Sequence, residues 1–448
     1  MQPIGDSMRY FGILLAAMLV LAGARPASAV PSFAGQTGQP CAACHVGAFG
    51  PQLKPFGRDF KLYGYTRTDG KDHGLPIAVT VQTSFTHTAV SQPGGAARWF
   101  AANDNVALDQ ASIYLAGKLT PKIGSFIELN YDGIARVVKL NNAELRYAAE
   151  GEAWETDFVW GVTVNNAPTM QDLWNSTPVW GFPYNASGLA PSPAAATMLD
   201  GGIAQKVAGG GVYMLWNDLV YAEATVYGGL SRDTRNALGA VPVSGSDTIV
   251  GAVPYWRLAL QQSFGEERHN VQFGTYGMHV SVNPGGDGSA ARTDSFTDIA
   301  FDTNYQWIAD PKSVVSDMVS AHATWIHENQ YLSASNILAG ANRRGNLDTM
   351  RADVSYSIGA TVTPSIQYFR TSGSANPLYY GLPGGVPNSA GFIGEIAYVP
   401  WGKPDSPWPW INVRLAAQYV AYTQFNGTTS HAGDNNAFYL SLWTAWRF

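Results

Sequence analysis

The chain has 448 residues, of which 13% are charged and 12% aromatic, with 48 glycines, 14 tryptophans and 22 tyrosines. That balance excludes a disordered chain, which needs many charges and few aromatics, and a net charge of −6 offers nucleic acid no electrostatic footprint. After the first thirty residues no apolar run reaches the length of a membrane helix, and two cysteines in so long a chain are not a disulfide framework.

Residues 1–29 read as a cleavable secretory signal. Arg9 supplies the positive charge, Phe11 to Leu21 the apolar run, and Ala27-Ser28-Ala29 the small-residue cleavage site. Met8 is an alternative start that leaves the same signal. Gly23 and Pro26 break the run, which argues against a retained anchor. The mature chain is expected to begin at Val30, in an oxidising compartment.

Next comes Cys41-Ala42-Ala43-Cys44-His45. Two thiols at this spacing can each form a thioether to a haem vinyl group, and the adjacent imidazole is then held beneath the iron, so the pattern reads as attachment of one covalent haem c. Cys41 and Cys44 are the expected tethers and His45 the expected iron ligand. A structural disulfide would not need His45, a thioredoxin-like dithiol would need a βαβ context, and a zinc site would need four ligands. The sixth iron position stays open. No methionine occurs from Val30 to Pro76, and His73, the only other histidine there, lies in a polar stretch that equally suits a solvated loop. The segment 30–76 is too small to bury a macrocycle alone and should borrow cover from the rest of the chain.

From Ile77 onward the pattern is period two. Ile299, Phe301, Tyr305 and Trp307 alternate with Asp298, Asp302, Asn304 and Gln306, and Met350, Val354, Tyr356 and Ile358 alternate with Arg351, Asp353, Ser355 and Ser357. Likewise Ile411, Val413, Leu415 and Tyr419 oppose Asn412, Arg414 and Gln418. An apolar face with aromatic ends opposite a polar face is the signature of a transmembrane barrel with a polar lumen. About sixteen such strands are expected, near 77–90, 106–119, 121–131, 137–149, 153–165, 201–217, 218–230 and 251–263 in the first half. The others lie near 269–282, 295–309, 315–332, 347–360, 361–372, 389–400, 409–425 and 436–448.

Tight joins are expected at Thr120-Pro121, Glu150-Gly151, Asn217-Asp218, Gly265-Glu266-Glu267, Asp310-Pro311-Lys312 and Thr361–Pro364. They alternate with long joins such as 91–105, 166–200 and 231–250, as periplasmic turns alternate with extracellular loops. The join at 132–136 breaks this rule by being short. A propeller or sandwich would repeat, and no internal repeat is found. The expected class is all-β: a transmembrane antiparallel barrel of about sixteen strands, residues 77–448, with the haem segment 30–76 plugging its lumen. A haem outside the lumen could not serve both faces of a layer roughly 30 Å thick.

Val30-Pro31-Ser32-Phe33-Ala34, Gln36-Thr37-Gly38, the haem motif, Pro55-Phe56-Gly57-Arg58-Asp59-Phe60-Lys61 and Gly64-Tyr65 together resemble the start of the fused monohaem cytochrome-porins of iron-oxidising bacteria. The resemblance is close over residues 30–65 and architectural beyond. It implies a cell outer-membrane protein that oxidises extracellular Fe(II) and hands the electron to a periplasmic cytochrome, an iron:cytochrome c oxidoreductase-type activity. Gly35 departs from the basic residue expected there.

Pro55, Phe56 and Arg58 are candidates to pack on the macrocycle or meet a propionate, against the plainer reading that they dock the segment to the wall. Asp298, Asp302 and Asp353 suit a cation path or ordinary lumen lining. The other functions to separate are a diffusion porin or transporter with a structural haem-bearing plug, and a periplasmic cytochrome fused to a soluble β-rich domain.

Overall fold

The computed structural model describes residues 32–239, 247–284, 292–382 and 384–447. The signal assigned to 1–29, with Val30, Pro31 and Phe448, lies outside them. Three short helices, Ser32–Thr37, Cys41–Cys44 and Pro55–Leu62, precede the first strand, and Pro55 starts the last of them where its missing N–H costs nothing.

The strands are β1 (Ile77–Thr88), β2 (Asn105–Lys118), β3 (Ile123–Asp132), β4 (Val137–Ala153), β5 (Thr156–Asn165), β6 (Val207–Trp216) and β7 (Val220–Gly229). After them run β8 (Thr248–Val250), β9 (Ala252–Phe264), β10 (His269–Asn283), β11 (Asp294–Ile308) and β12 (Met318–Leu332). The circuit finishes with β13 (Arg344–Ser357), β14 (Val362–Gly373), β15 (Ser389–Tyr398), β16 (Ile411–Gln424) and β17 (Ala437–Arg447).

Every pairing is antiparallel. β8 and β9 both pair with β10 and are one strand interrupted at Gly251, whose φ is 75°, so the wall has sixteen strands. β1 pairs with β17 from Ala78↔Arg447 to Thr88↔Ala437, and the sheet closes without an edge.

The alternation is as the sequence implies. Ile299, Phe301, Met350, Val354, Leu415, Tyr419, Leu440 and Leu442 are exposed on the outer face, while Asp302, Gln306, Ser355, Asn412, Gln418 and Ser441 are buried on the inner one. An exposed apolar belt over a polar interior is stable only where lipid replaces water outside. Among the described residues no helix is long and apolar enough to cross a membrane.

Two expected turns are displaced. β4 runs past Glu150 and Gly151, which pair with Val159 and Phe158, and the chain turns at Trp154-Glu155, with φ of 50° and 57°. The second turn lies at Ile358–Thr361, because Thr363 and Pro364 already pair with Ala397 and Ile396. Asn217-Asp218 does turn where expected, both residues at positive φ at the centre of a tight turn closed by Leu219 N on the Trp216 carbonyl.

The short join 133–136 is present. A second exception is 399–410, a long join at the short-turn end. The start expected for β6 moves from 201 to Val207 because 201–206 belong to the preceding join. That join, 166–206, turns inward: Met170, Gln171, Asp172, Leu173, Trp174 and Thr177 are buried.

Candidate cofactor-binding site

Residues 32–66 pack against inward-facing wall positions. Gln36 donates to the carbonyls of Tyr65 and Arg67, and Phe33 packs between Phe60 (5.0 Å between centroids) and Tyr65 (5.2 Å), closing the segment on itself. Gln52 Nε2 donates to Ser320 Oγ of β12 (2.6 Å), and Asn412 Nδ2 of β16 donates to the Ala48 carbonyl (2.8 Å). Lys54 Nζ bridges the carbonyls of Ala42 and Val314, 3.0 Å from each.

The helix Cys41–Cys44 places the two thiols one turn apart, and His45 follows as its extended C-cap residue. Ala42 N donates to the Gly402 carbonyl (2.9 Å). Ala42 and Ala48 pack with Ala360 and Val399. The motif therefore sits at the short-turn end, and the long join 399–410 is long because it covers this segment. Gly57 is required beside it, since a Cβ there would stand 2.5 Å from the Cys44 carbonyl oxygen.

Cys41 and Cys44 are not joined to each other by a disulfide. Burial pushes the Cys41 thiol up to about 11 and the Cys44 thiol up to about 12, the latter helped by neighbouring Cys41. Burial lowers the His45 imidazole to about 4, so it is neutral at pH 7, and its Nδ1 has no hydrogen-bond partner. Two thiols one helical turn apart, followed by a neutral imidazole with an unpartnered nitrogen, are the donor set a thioether-bound haem requires. The residues present fit that group.

The remaining candidates do not gather there. Arg58 Nη1 donates to Gln306 Oε1 (2.7 Å) and the Leu53 carbonyl (3.3 Å), so it docks the segment to β11, and Phe56 is 39% exposed. His73 Nε2 lies 2.7 Å from Asp69 Oδ1. Asp302 holds Arg257 at 2.8 Å, Asp353 pairs with His322 at 2.9 Å, and Asp298 accepts from Leu199 N at 2.7 Å. Each acid is separately engaged, and among the described residues no three His, Cys, Asp or Glu side chains converge as metal ligands. Over Gly35, where a basic residue was expected, lies the guanidinium of Arg447 from β17.

The sequence reading missed the contact between the segment and the inward join. Lys61 Nζ donates to the carbonyls of Met170 (2.8 Å) and Asp172 (2.6 Å) and to Asn175 Oδ1 (2.9 Å). Arg146 of β4 donates to Glu144, to the Lys61 carbonyl (3.0 Å) and to the Gln171 carbonyl (2.8 Å), tying wall, segment and join together. The only sequence signal was a run of charges in the Pro55–Lys61 stretch.

Burial lowers the Lys61 ammonium from 10.5 to about 7, with Glu144 pulling it back up. Between those values the unfolded chain holds a proton that the folded chain has released, so stability rises with pH across that window. Denaturant midpoints measured from pH 7 to 10 should climb in the native protein, and Lys61→Met should flatten the climb.

No family model matches the chain, and no curated protein matches its sequence. Solved structures similar to it are outer-membrane barrels. The anion-selective porin from Comamonas acidovorans has 9% identity and a TM-score of 0.45 over 83% of this chain and 99% of that one. The outer-membrane channel DcaP of Acinetobacter baumannii has 11% identity and a TM-score of 0.43 over 84% and 98%. OmpT of Vibrio cholerae has 10% identity and a TM-score of 0.41 over 83% and 96%. The closed register and the apolar belt define the class on their own: a porin-like β-barrel of the outer-membrane type.

Proposed function

We propose that the chain is a monohaem electron conduit of the outer membrane, of the fused cytochrome-porin type, with residues 30–76 as a plug carrying one haem c. Cys41 and Cys44 hold it by thioethers and His45 ligates the iron. When bound, the group supplies one-electron exchange, taking electrons from an extracellular reductant, Fe(II) first, for a periplasmic cytochrome. The observation that carries this reading is a Cys-x-x-Cys-His motif with a neutral imidazole whose Nδ1 has no partner, packed against the inner wall at the short-turn end.

The chain's own part is to hold that motif dry and still. The Lys54, Asn412 and Gly402 contacts fix the motif's backbone. The buried Lys61 and Arg146 contacts fix the join above it and exclude water between the two inserts. A diffusion porin is the competing reading. It would wet its wall, yet Arg146, Arg257, Gln306 and Ser320 on the inner face are each 0% exposed.

The test is to purify the barrel, record its absorption spectrum and mix it anaerobically with Fe(II). A c-type spectrum that turns to the reduced form on mixing is expected. A protein without covalent haem, or one that conducts ions on the nanosiemens scale in planar bilayers, refutes the conduit. Reduction by a sulfur or organic donor but not by iron changes the donor only.

A further inference from the structure

We infer that Arg447 binds a carboxylate of the haem, and that the cavity it lines at the short-turn mouth takes the carboxylate-bearing edge of the macrocycle. This rests on the reading of Cys41, Cys44 and His45 as the attachment site.

The first observation is an unfinished hydrogen-bond inventory. Arg447 Nη1 is buried without a hydrogen-bond partner, and leaving a guanidinium donor unsatisfied inside a protein is costly. No carboxylate among the described residues forms an ion pair with it. The nearby Asp69 is taken by His73 Nε2 at 2.7 Å and Lys71 at 3.8 Å, and Asp72 Oδ1 accepts from Gly74 N. Arg58, the other arginine near the motif, is occupied by β11.

The second observation is register. Asn412 hydrogen-bonds the Cys41 thiol and stands opposite Ala445, so Cys41 lies level with Ala445. Arg447 is two residues further along the same inward face, about 7 Å toward the mouth. Its guanidinium lies over Gly35, where any Cβ would fall 1.0 Å from Nη1, and the neighbouring Ala34 packs on Cys41. A bare Gly35 thus admits the arginine to the surroundings of the tethering thiol.

The third observation is room and charge. A cavity of about 380 Å³ opens there, lined by Ser32, Gln36, Lys71, His73, Lys118 and Arg447 among others. Lys71, Lys118 and Arg447 set three cations against one lining carboxylate, Asp72, whose Oδ1 accepts from Gly74 N, and that balance suits the carboxylates of a macrocycle whose opposite edge is tethered. Arg447 can meet one of them with two parallel N–H···O bonds.

A cation at this edge favours the reduced, less positive state of the iron. At about 10 Å and an effective dielectric of about 20 the effect is on the order of tenfold in the reduction equilibrium. In a spectroelectrochemical titration Arg447→Gln should lower the midpoint by that tenfold, about 59 mV for one electron, and Arg447→Lys should recover part of it. Gly35→Ala, which expels the guanidinium and leaves the last strand intact, should shift the midpoint the same way. This variant serves if Arg447→Gln fails to assemble, as heat-modifiable gel mobility would show. Full covalent haem with an unmoved midpoint in both variants overturns the assignment and leaves the conduit standing. Absence of covalent haem in the native protein overturns the conduit, and this assignment with it.

Discussion

Replacing both Cys41 and Cys44 by alanine should assemble a normal barrel that carries no covalent haem and leaves Fe(II) oxidation at the rate found without protein. The expectation follows from geometry as much as from the motif. Cys44 is the thiol beside His45, and its backbone carbonyl accepts from Lys54 N at 2.8 Å, a contact the substitution keeps. Alanine removes only sulfur from a site already lined by Ala42, Ala43 and Ala48, so the loss of haem should not be a loss of folding. Haem staining of a denaturing gel reads the tether, and heat-modifiable mobility reads the barrel. A stained band from the double variant, or Fe(II) oxidation at the native rate, would refute the assignment.

Arg146→Met should have the largest effect on stability, about 3–5 kcal/mol, the usual consequence of removing one partner from a buried ion pair. Arg146 is 0% exposed and touches three parts of the molecule: Glu144 of its own strand, the carbonyl of Lys61 in the plug and the carbonyl of Gln171 in the inward join. Its loss leaves the Glu144 carboxylate with only Tyr65 and Thr163 as donors. The Gln171 carbonyl loses this donor as well, and the Lys61 carbonyl is left with Gly64 N. Denaturation in detergent should show the drop, and planar bilayers should show channel openings that the native protein lacks.

Arg257→Met is the matched control. Arg257 holds Asp302 of the wall and Asp172 of the join but makes no hydrogen bond or ion pair with the plug. It should destabilise comparably, with fewer openings.

The sixteen strands were legible because lipid outside and a polar interior impose a two-residue period that few other environments produce. Turn positions were less legible, most clearly at the end of β4. Gly151 attracts the eye, but Trp154 and Glu155 make the bend, and nothing in those two side chains announces positive φ. The Cys-x-x-Cys-His motif was legible as a candidate site because it is local, five residues in a row.

The surroundings of the motif were not legible. Arg58 meets Gln306, Lys54 meets Val314 and Cys41 meets Asn412, each pairing hundreds of positions apart and decided by how the barrel closes. The inward path of 166–206 escaped for a related reason. Its buried Leu173 and Trp174 sit among polar residues with no period, so its composition is that of an outer loop.

The seam between β1 and β17 has a consequence for how such a protein is made. The plug leads directly into β1, and Cys41 is 6% exposed, under the 399–410 join and the inner face of β16. Once the first and last strands zip together from Ala78 to Thr88, Cys41 is enclosed by wall and join, which leaves a ligation enzyme no approach to it. On the proposed reading, tethering therefore precedes closure of the barrel, and a chain that closes first is committed to an empty shell.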